Sequence, residues 1–279
     1  MQKALKIGIL STEKSGDFLG STFMNSLYKE DIDFQCFGLG GKDLDKFNII
    51  RPADLKRDVL NVMGIVDPVL NLAQILRARK KILNFFIENK IDIFIGVDSP
   101  DLNLYFHQKL RQSISTTNFQ IVSPSVWAWR SGRVKKLRKF VDMTFCLFKF
   151  EHEFLKKHDV NSFHVGHPFQ DIEKVEDVSS IKNRYGIKND SECLTFLVGS
   201  RRSEISNMLP IYKKVIKKIY ENNKSYSFLF PVANQDHKNI IQAELSELEP
   251  SIFVQIDKMK EFLSLSTFTI STSGTASLE

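Results

Sequence analysis

Short apolar runs alternate along the chain with polar or glycine-bearing loops and with stretches of helical periodicity. Continuous apolar runs are typical of parallel strands, which are covered on both faces. In the first half they predict strands at Leu5–Leu10, Phe34–Phe37, Ile91–Val97, Phe119–Val122 and Thr144–Phe148. A loop over residues 11–17 and a helix over 18–28 follow the first of these strands. The repeated order strand, loop, helix indicates a doubly wound α/β domain.

A second series of the same pattern begins after Asp171. Its predicted strands are Leu194–Val198, Phe228–Val232, Phe253–Ile256 and Phe268–Ile270. Ser179 or Ser180 is expected to cap a short helix that ends before Gly186. A long helix is predicted after Arg202, extending to about Tyr220. The chain is therefore expected to hold two Rossmann-like doubly wound domains.

The expected boundary lies between His167 and Val178, a stretch with Pro168 and charges of both signs. We predict domains over residues 1–171 and 172–279. A chain of 279 residues, 42% of them hydrophobic, can form two cores. Its three cysteines are far apart in sequence, so we expect reduced thiols and neither disulfides nor a metal site. We also expect no secretory leader and no membrane span.

The two tryptophans of the chain lie in one motif, SPSVWAWR, at residues 123–130. It follows a predicted strand, at the edge where open α/β sheets bind ligands. Ser123, Trp127 and Arg130 are its candidate binding residues. An aromatic corner that fills the core is an equally good interpretation of this motif.

Two Gly-bearing segments of the second half have the features of anion sites. Gly199, Ser200 and Arg201 lie between a predicted strand and helix, where backbone amides and a guanidinium bind phosphate. A weaker signal, Ser273-Gly274-Thr275, follows the last predicted strand, and Glu279 is placed to accept hydrogen bonds from ribose hydroxyls. An ordinary tight turn between strand and helix is the alternative for residues 199–201.

Asp98 ends the most apolar of the predicted strands. A carboxylate at that position can act as a general base. The alternative is that Asp98 caps the following helix together with Asp101. Spacing alone does not choose between the two roles.

Residues 60–81 are apolar at first and basic at the end. This composition suits an anionic bilayer or acyl chains, and a core helix with a solvated basic end is the alternative. The net charge of +6 favours anionic partners. Nucleic acid is not expected, because aromatic residues are not interleaved with the basic ones. The apolar residues that form the candidate surface are Val62, Met63, Ile65, Val66, Val69, Leu70, Leu72 and Ile75.

Taken together, these motifs resemble the lipid-A-disaccharide synthase family, glycosyltransferases of the B-type fold (GT-B) with two Rossmann-like domains. The resemblance covers the chain from end to end, and SPSVWAWR with VMGIV carries most of its specificity. The matching segments are EKSGD (13–17), NVMGIVDPV (61–69), IFIGVDSPDLN (93–103), SPSVWAWR (123–130), VGH (165–167), GSR (199–201) and SGTASLE (273–279).

The resemblance implies an inverting transfer from UDP-2,3-diacylglucosamine to 2,3-diacylglucosamine 1-phosphate, without a cofactor or required metal. It implies peripheral attachment to lipids of the inner membrane on the cytoplasmic side, and it leaves self-association open. Asp98 becomes the candidate base, and the 62–76 surface would take the membrane or acyl chains. The implied substrate-binding residues are Ser15, Gly16, Asp17, Ser123, Trp127, Arg130, His167, Gly199, Ser200, Arg201, Ser273, Gly274, Thr275 and Glu279.

The chain departs from the family pattern in three places. Lys14 stands where Thr is usual, and Val198 stands where Pro usually precedes GSR. The sequence also ends inside the SGTASLE motif, so the resemblance implies a further segment and an incomplete second domain. On this interpretation residues 1–279 alone would be inactive and poorly soluble. The alternatives are a non-catalytic remnant that binds UDP or acidic lipid, and another UDP-sugar enzyme of this fold.

Overall fold

Two parallel sheets organise the chain, one in each of two compact units, residues 1–170 and 171–279. A computed structural model describes residues 4–53, 55, 68–126, 132–168, 177–199 and 202–272, without the side chains of 68–72. Among these residues no helix is both long enough and apolar enough to span a membrane.

The first unit contains a six-stranded sheet in which every described pairing is parallel. The strand order is β2-β1-β3-β4-β5-β6. Parallel pairing places the carboxyl ends of all these strands at one edge of the sheet. The strands are β1 (Leu5–Leu10), β2 (Phe34–Leu39), β3 (Ile93–Val97), β4 (Thr117–Ile121), β5 (Met143–Cys146) and β6 (Ser162–His164).

Helices cover both faces of this sheet and bury its apolar side chains. Leu19 and Met24 of the first helix pack with Ile7, Ile9 and Ile95 in one core cluster. The second and third helices contribute Ile82, Phe86 and Phe106 to another cluster. The helices are α1 (Lys14–Lys29), α2 (Pro68–Glu88), α3 (Pro100–Ser113), α4 (Gly132–Phe140) and α5 (Lys149–Lys157).

The second unit repeats the design with four strands in the order β10-β7-β8-β9. Its main core is formed by buried aromatic and aliphatic side chains such as Phe196, Phe228 and Ile216. The strands are β7 (Cys193–Leu197), β8 (Ser227–Val232), β9 (Ser251–Ile256) and β10 (Ser266–Ser271). The helices are α6 (Val178–Tyr185), α7 (Arg202–Asn222), α8 (Gln235–Leu245) and α9 (Met259–Leu265).

In each sheet the strand order reverses beside the first strand of that sheet. This switch point is where a ligand site is expected. In the first unit the chain passes from β1 to β2 on one side and then to β3 on the other. In the second unit, β8 and β10 lie on opposite sides of β7. Open α/β sheets bind ligands outside the carboxyl ends of the strands at such a switch point.

The α/β prediction is confirmed, and the predicted strands are present with small shifts at their ends. Two local predictions are wrong, and one strand was not predicted. Helix α1 begins at Lys14, so residues 14–17, expected in a loop, form its first turn. Helix α6 is capped by Asp177, whose carboxylate accepts the Ser180 amide, and not by Ser179 or Ser180. Strand β6 was not predicted, because its three residues include one apolar side chain.

Candidate functional site

At the switch point of the first unit, a hydrogen bond between two hydroxyl groups joins the loops that follow β1 and β3. Thr12 Oγ1, in the loop after β1, lies 2.6 Å from Ser99 Oγ, in the loop after β3. Asp98 stands next to Ser99 and is half-buried. The loop that carries the predicted base is therefore tied to the neighbouring strand end, where the topology predicts a ligand.

The backbone at this edge adopts conformations that L-residues rarely take. Asp98 and Ser99 have φ values of +50° and +39°, and Val122, after the adjacent strand β4, has +71°. For a β-branched residue such as Val122, a positive φ is a genuine outlier. Each such residue costs about 1–3 kcal/mol and persists only where the surroundings hold it in place.

Two buried side-chain amides hold these residues. Nε2 of Gln120 donates to the carbonyl oxygens of Asp98 at 3.1 Å, Ile121 at 3.1 Å and Val122 at 3.2 Å. Nδ2 of Asn103 donates to the carbonyls of Val97 at 3.1 Å and Asp98 at 2.7 Å. Because only an NH₂ group can face so many carbonyls favourably, the orientation of both amides is defined by their partners.

A glycine and a histidine complete this arrangement. Gly96 is the register partner of Gln120, and a Cβ there would lie 2.8 Å from Cβ of Asn103 and 2.9 Å from Oε1 of Gln120. Nε2 of His107 lies 3.1 Å from the same Oε1. Burial lowers the pKa of His107 to about 4, so the ring is neutral at physiological pH and donates this bond. We call Asn103, His107 and Gln120 the amide network.

Helix α3 begins without a side-chain cap from its N-cap residue. That residue is Ser99, followed by Pro100 at the first helical position, and the Ser99 side chain makes no capping bond. Asp98 directly precedes the N-cap position. The hydroxyl that would cap the helix bonds Thr12 instead.

Asp17 ties α1 to the loop that follows β2. Its Oδ1 accepts the amide of Gly41 at 2.6 Å, and its Oδ2 accepts that of Asp43 at 2.7 Å. Burial raises the pKa of Asp17, although these amides oppose the shift. Both carboxylate oxygens thus accept structural hydrogen bonds from backbone amides. Ser15 is half-buried beside it, and Gly16 is buried.

The ends of β4, β5 and β6 bring further predicted and unpredicted groups to the same edge. Ser123 is buried, and its hydroxyl donates to the Pro124 carbonyl at 3.2 Å. The buried ring of His167 stacks on Phe148, with ring centroids 6.4 Å apart. Burial lowers the pKa of His167. Glu151 caps α5 by accepting the Phe148 amide at 3.2 Å.

In the second unit the switch point lies between β7 and β10. Gly199 follows β7 with φ of +97°, and a Cβ there would lie 2.5 Å from Oε2 of Glu204. Thr272 follows β10, and both its amide and its hydroxyl donate to the Leu197 carbonyl at 3.1 Å. The ends of β7 and β10, which precede the two Gly-bearing segments in the sequence, therefore lie side by side.

Several predicted residues lie outside the part of the chain that the structure describes. For the four segments concerned, the outcome stays a prediction. The residues are Trp127, Arg130, Ser200, Arg201, Ser273, Gly274, Thr275, Glu279, Val62, Met63, Ile65 and Val66, together with the side chains of Val69, Leu70 and Leu72. Ile75 is half-buried on α2. No cluster of acidic, histidine or cysteine side chains able to hold a metal ion occurs in the described ranges.

Sequence reasoning missed the amide network. Two signals pointed to it: Asn118 and Gln120 alternate with apolar residues in an otherwise buried strand, and Asn103 and His107 lie four residues apart on one face of a helix. Leu76 lies at the end of the predicted 62–76 surface but was not named among its residues, and 52% of its surface is exposed on α2. It extends the apolar part of that helix.

Comparison with known proteins identifies relatives along nearly the whole chain. The family model described as LpxB, lipid-A-disaccharide synthetase, matches residues 7–279. A lipid-A-disaccharide synthase from Francisella philomiragia is 35% identical over 99% of this chain and 73% of its own length. A lipid-A-disaccharide synthase from Idiomarina loihiensis is 32% identical, with 98% of this chain and 72% of the relative covered.

Solved structures with low sequence identity share the fold. The S. aureus MnaA–UDP co-structure has a TM-score of 0.66 at 11% identity. The match covers 97% of this chain and 74% of the MnaA chain. The UDP-GlcNAc 2-epimerase from Neisseria meningitidis bound to UDP-GlcNAc has a TM-score of 0.65 at 13% identity, covering 98% and 78%. The two sheets and these neighbours establish the GT-B type of fold.

Glu151 makes the stability of the first unit depend on pH. Burial raises its pKa from 4.5 to about 7, so the folded unit binds this proton more tightly than the unfolded chain. The free energy of unfolding should therefore fall as pH rises from 4.5 to 7. We expect Glu151→Gln to remove about 1–3 kcal/mol of this dependence, measured by denaturant unfolding at pH 5 and pH 8.

Glu153→Gln, on the exposed side of the same helix, is the matched control. The free energy of unfolding of this variant should change between pH 5 and pH 8 by as much as that of the unsubstituted protein. An unchanged pH dependence in Glu151→Gln would contradict the assignment.

Proposed function

Because the chain belongs to the lipid-A-disaccharide synthase family, and is therefore a hexosyltransferase that forms the lipid A disaccharide, we propose its substrates and stereochemistry. The donor is UDP-2,3-diacylglucosamine and the acceptor is 2,3-diacylglucosamine 1-phosphate. The products are lipid A disaccharide 1-phosphate and UDP, formed with inversion. The observation that carries the proposal is Asp98, held in a left-handed conformation at the switch point of a sheet in this family's fold.

In this proposal Asp98 is the general base. The acceptor hydroxyl oxygen attacks the anomeric carbon of the donor while its proton passes to the Asp98 carboxylate. The bond between the anomeric carbon and the UDP oxygen breaks, and UDP leaves with that electron pair. A base that lies at a strand end and is only half-buried remains accessible to a bound hydroxyl.

We assign the donor to the second unit. The loops after β7 and β10 begin side by side, joined by the two bonds from Thr272 to the Leu197 carbonyl. Gly199 allows a phosphate to approach the backbone closely, and α7 begins three residues later. The proposed UDP ligands follow these strands in the sequence: Ser200, Arg201, Ser273, Gly274, Thr275 and Glu279.

We assign the membrane contact to the helices that cover one face of the first sheet. Leu76 and Ala73 expose apolar surface on α2, whereas Ala78, Ile82 and Phe86 of the same helix are buried. Helix α3 packs between α2 and α4. The exposed basic residues of the two outer helices are Arg77, Lys80, Lys81, Lys135, Lys136, Arg138 and Lys139. Such a surface suits anionic lipid at the cytoplasmic face of the inner membrane.

Vesicle flotation tests the membrane assignment. We expect the full-length protein to float with vesicles that contain phosphatidylglycerol, and Lys135→Glu/Lys136→Glu to reduce the bound fraction roughly tenfold. The matched pair Lys217→Glu/Lys218→Glu on α7 removes the same charge from the second unit and should bind normally. Equal losses in both double variants would overturn the assignment to the first unit.

Substitution of Asp98 tests the catalytic role. Asn tolerates positive φ well, so Asp98→Asn should keep the loop conformation while it removes the proton acceptor. We expect kcat to fall at least ~100-fold in an assay of disaccharide formation from radiolabelled donor by the full-length protein in membranes. UDP binding, measured by calorimetry, should be unchanged.

Asp101→Asn is the matched control, since Asp101 is an exposed carboxylate in the first turn of α3. Its activity should stay within threefold of the unsubstituted protein. Asp98→Asn that retained most of its activity would exclude the base role. UDP binding without disaccharide formation by the unsubstituted protein would favour a non-catalytic role.

A further inference from the structure

One buried amide contacts both left-handed strand ends at the candidate active site. We propose that Gln120 is a positioning residue, which fixes the direction of the Asp98 carboxylate through the backbone and never touches substrate. The proposal rests on the proposed function, because it concerns the geometry of the base assigned there. The proposed reaction would then require a residue of strand β4 that lies outside the substrate-binding surface.

The backbone of Asp98 is held from both sides. Its amide donates to the Ile121 carbonyl at 2.9 Å, and its carbonyl accepts Gln120 at 3.1 Å and Asn103 at 2.7 Å. Rotation of Asp98 out of the left-handed region would break these bonds. Since φ and ψ of Asp98 set the direction of its Cα–Cβ bond, the same bonds aim the carboxylate.

Val122 is held in the same way, and by the same amide. Its own amide donates to the Phe145 carbonyl at 3.0 Å, and its carbonyl accepts Gln120 at 3.2 Å. Val122 leads directly into Ser123 and the SPSVWAWR motif. Gln120 therefore couples the direction of Asp98 to the backbone that leads into Ser123.

The carbonyl end of the Gln120 side chain is also held in place. Its Oε1 accepts the bond from neutral His107, and its side chain lies in the space left by Gly96. Gln120 is fully buried, so water does not replace its donors when they are removed. Loss of this amide leaves carbonyls at both strand ends without that donor.

Asn118 shows what a structural amide in the same strand does. It is equally buried two residues earlier, and its Nδ2 donates to the carbonyls of His107 at 3.2 Å and Phe140 at 2.8 Å. Neither carbonyl belongs to a left-handed residue at a strand end. Loss of the Asn118 amide should therefore lower stability without moving Asp98.

The experiment compares Gln120→Met with Asn118→Leu, since each change replaces a buried amide by an apolar side chain of similar length and removes its hydrogen bonds. We expect Gln120→Met to lower kcat ~30–100-fold with KM for both substrates within threefold, as misplacement of a catalytic group by about 1 Å does. Asn118→Leu should keep kcat within threefold, although it is destabilised to a similar extent by denaturant unfolding. Equal effects on kcat, or no effect of Gln120→Met, would overturn the proposal.

Amide hydrogen exchange separates this proposal from the proposed function. In Gln120→Met, the amides of Asp98 and Val122 should exchange at least ~10-fold faster than in Asn118→Leu. If the unsubstituted protein formed no disaccharide, the proposed function would fail, and this exchange ratio alone would decide the positioning claim. A ratio near one would overturn it.

Discussion

The carbonyl groups at the ends of β3 and β4 point into the interior, and each needs a donor there. A buried carbonyl without a partner costs as much as a lost hydrogen bond, so a left-handed turn at this depth is stable only if donors are built in. Gln120 and Asn103 supply them. The position of Asp98, the packing of α3 on the sheet and the need for glycine at position 96 all follow from this requirement.

The parallel sheet converts that local arrangement into a site. Because all strands of the first unit run in the same direction, the groups after β1, β3, β4, β5 and β6 share one edge. The strand order reverses beside β1, and there the hydroxyl groups of Thr12 and Ser99 join the loops that follow β1 and β3. In the second unit the strand order reverses beside β7, and Gly199 and Thr272 follow the two strands at that point. A glycosyltransferase of this family thus has one such edge in each unit, one for each of its two substrates in the proposed reaction.

Hydrophobic pattern was sufficient to predict most of the fold, because strands such as β1, β3, β7 and β8 are largely buried and mostly apolar. It failed where side-chain hydrogen bonds decide the outcome. The first turn of α1 contains Ser15, Gly16 and Asp17, and the carboxylate of Asp17 stabilises it through a distant loop that no local pattern reveals. Asp98 was singled out by its place at a strand end, and the family resemblance made it the candidate base, a role that stays a prediction. Gln120 was not predicted, since its role depends on carbonyls of three residues that converge only in the folded sheet.

The anomeric configuration of the product tests the central claim most directly. A base that takes the proton of the acceptor hydroxyl allows a single displacement at the anomeric carbon, whereas a carboxylate nucleophile gives two displacements and retention. Proton NMR of the disaccharide formed by the full-length protein should show the new glycosidic bond inverted relative to the bond to UDP in the donor. A product with retained configuration would contradict the role of Asp98 as a base.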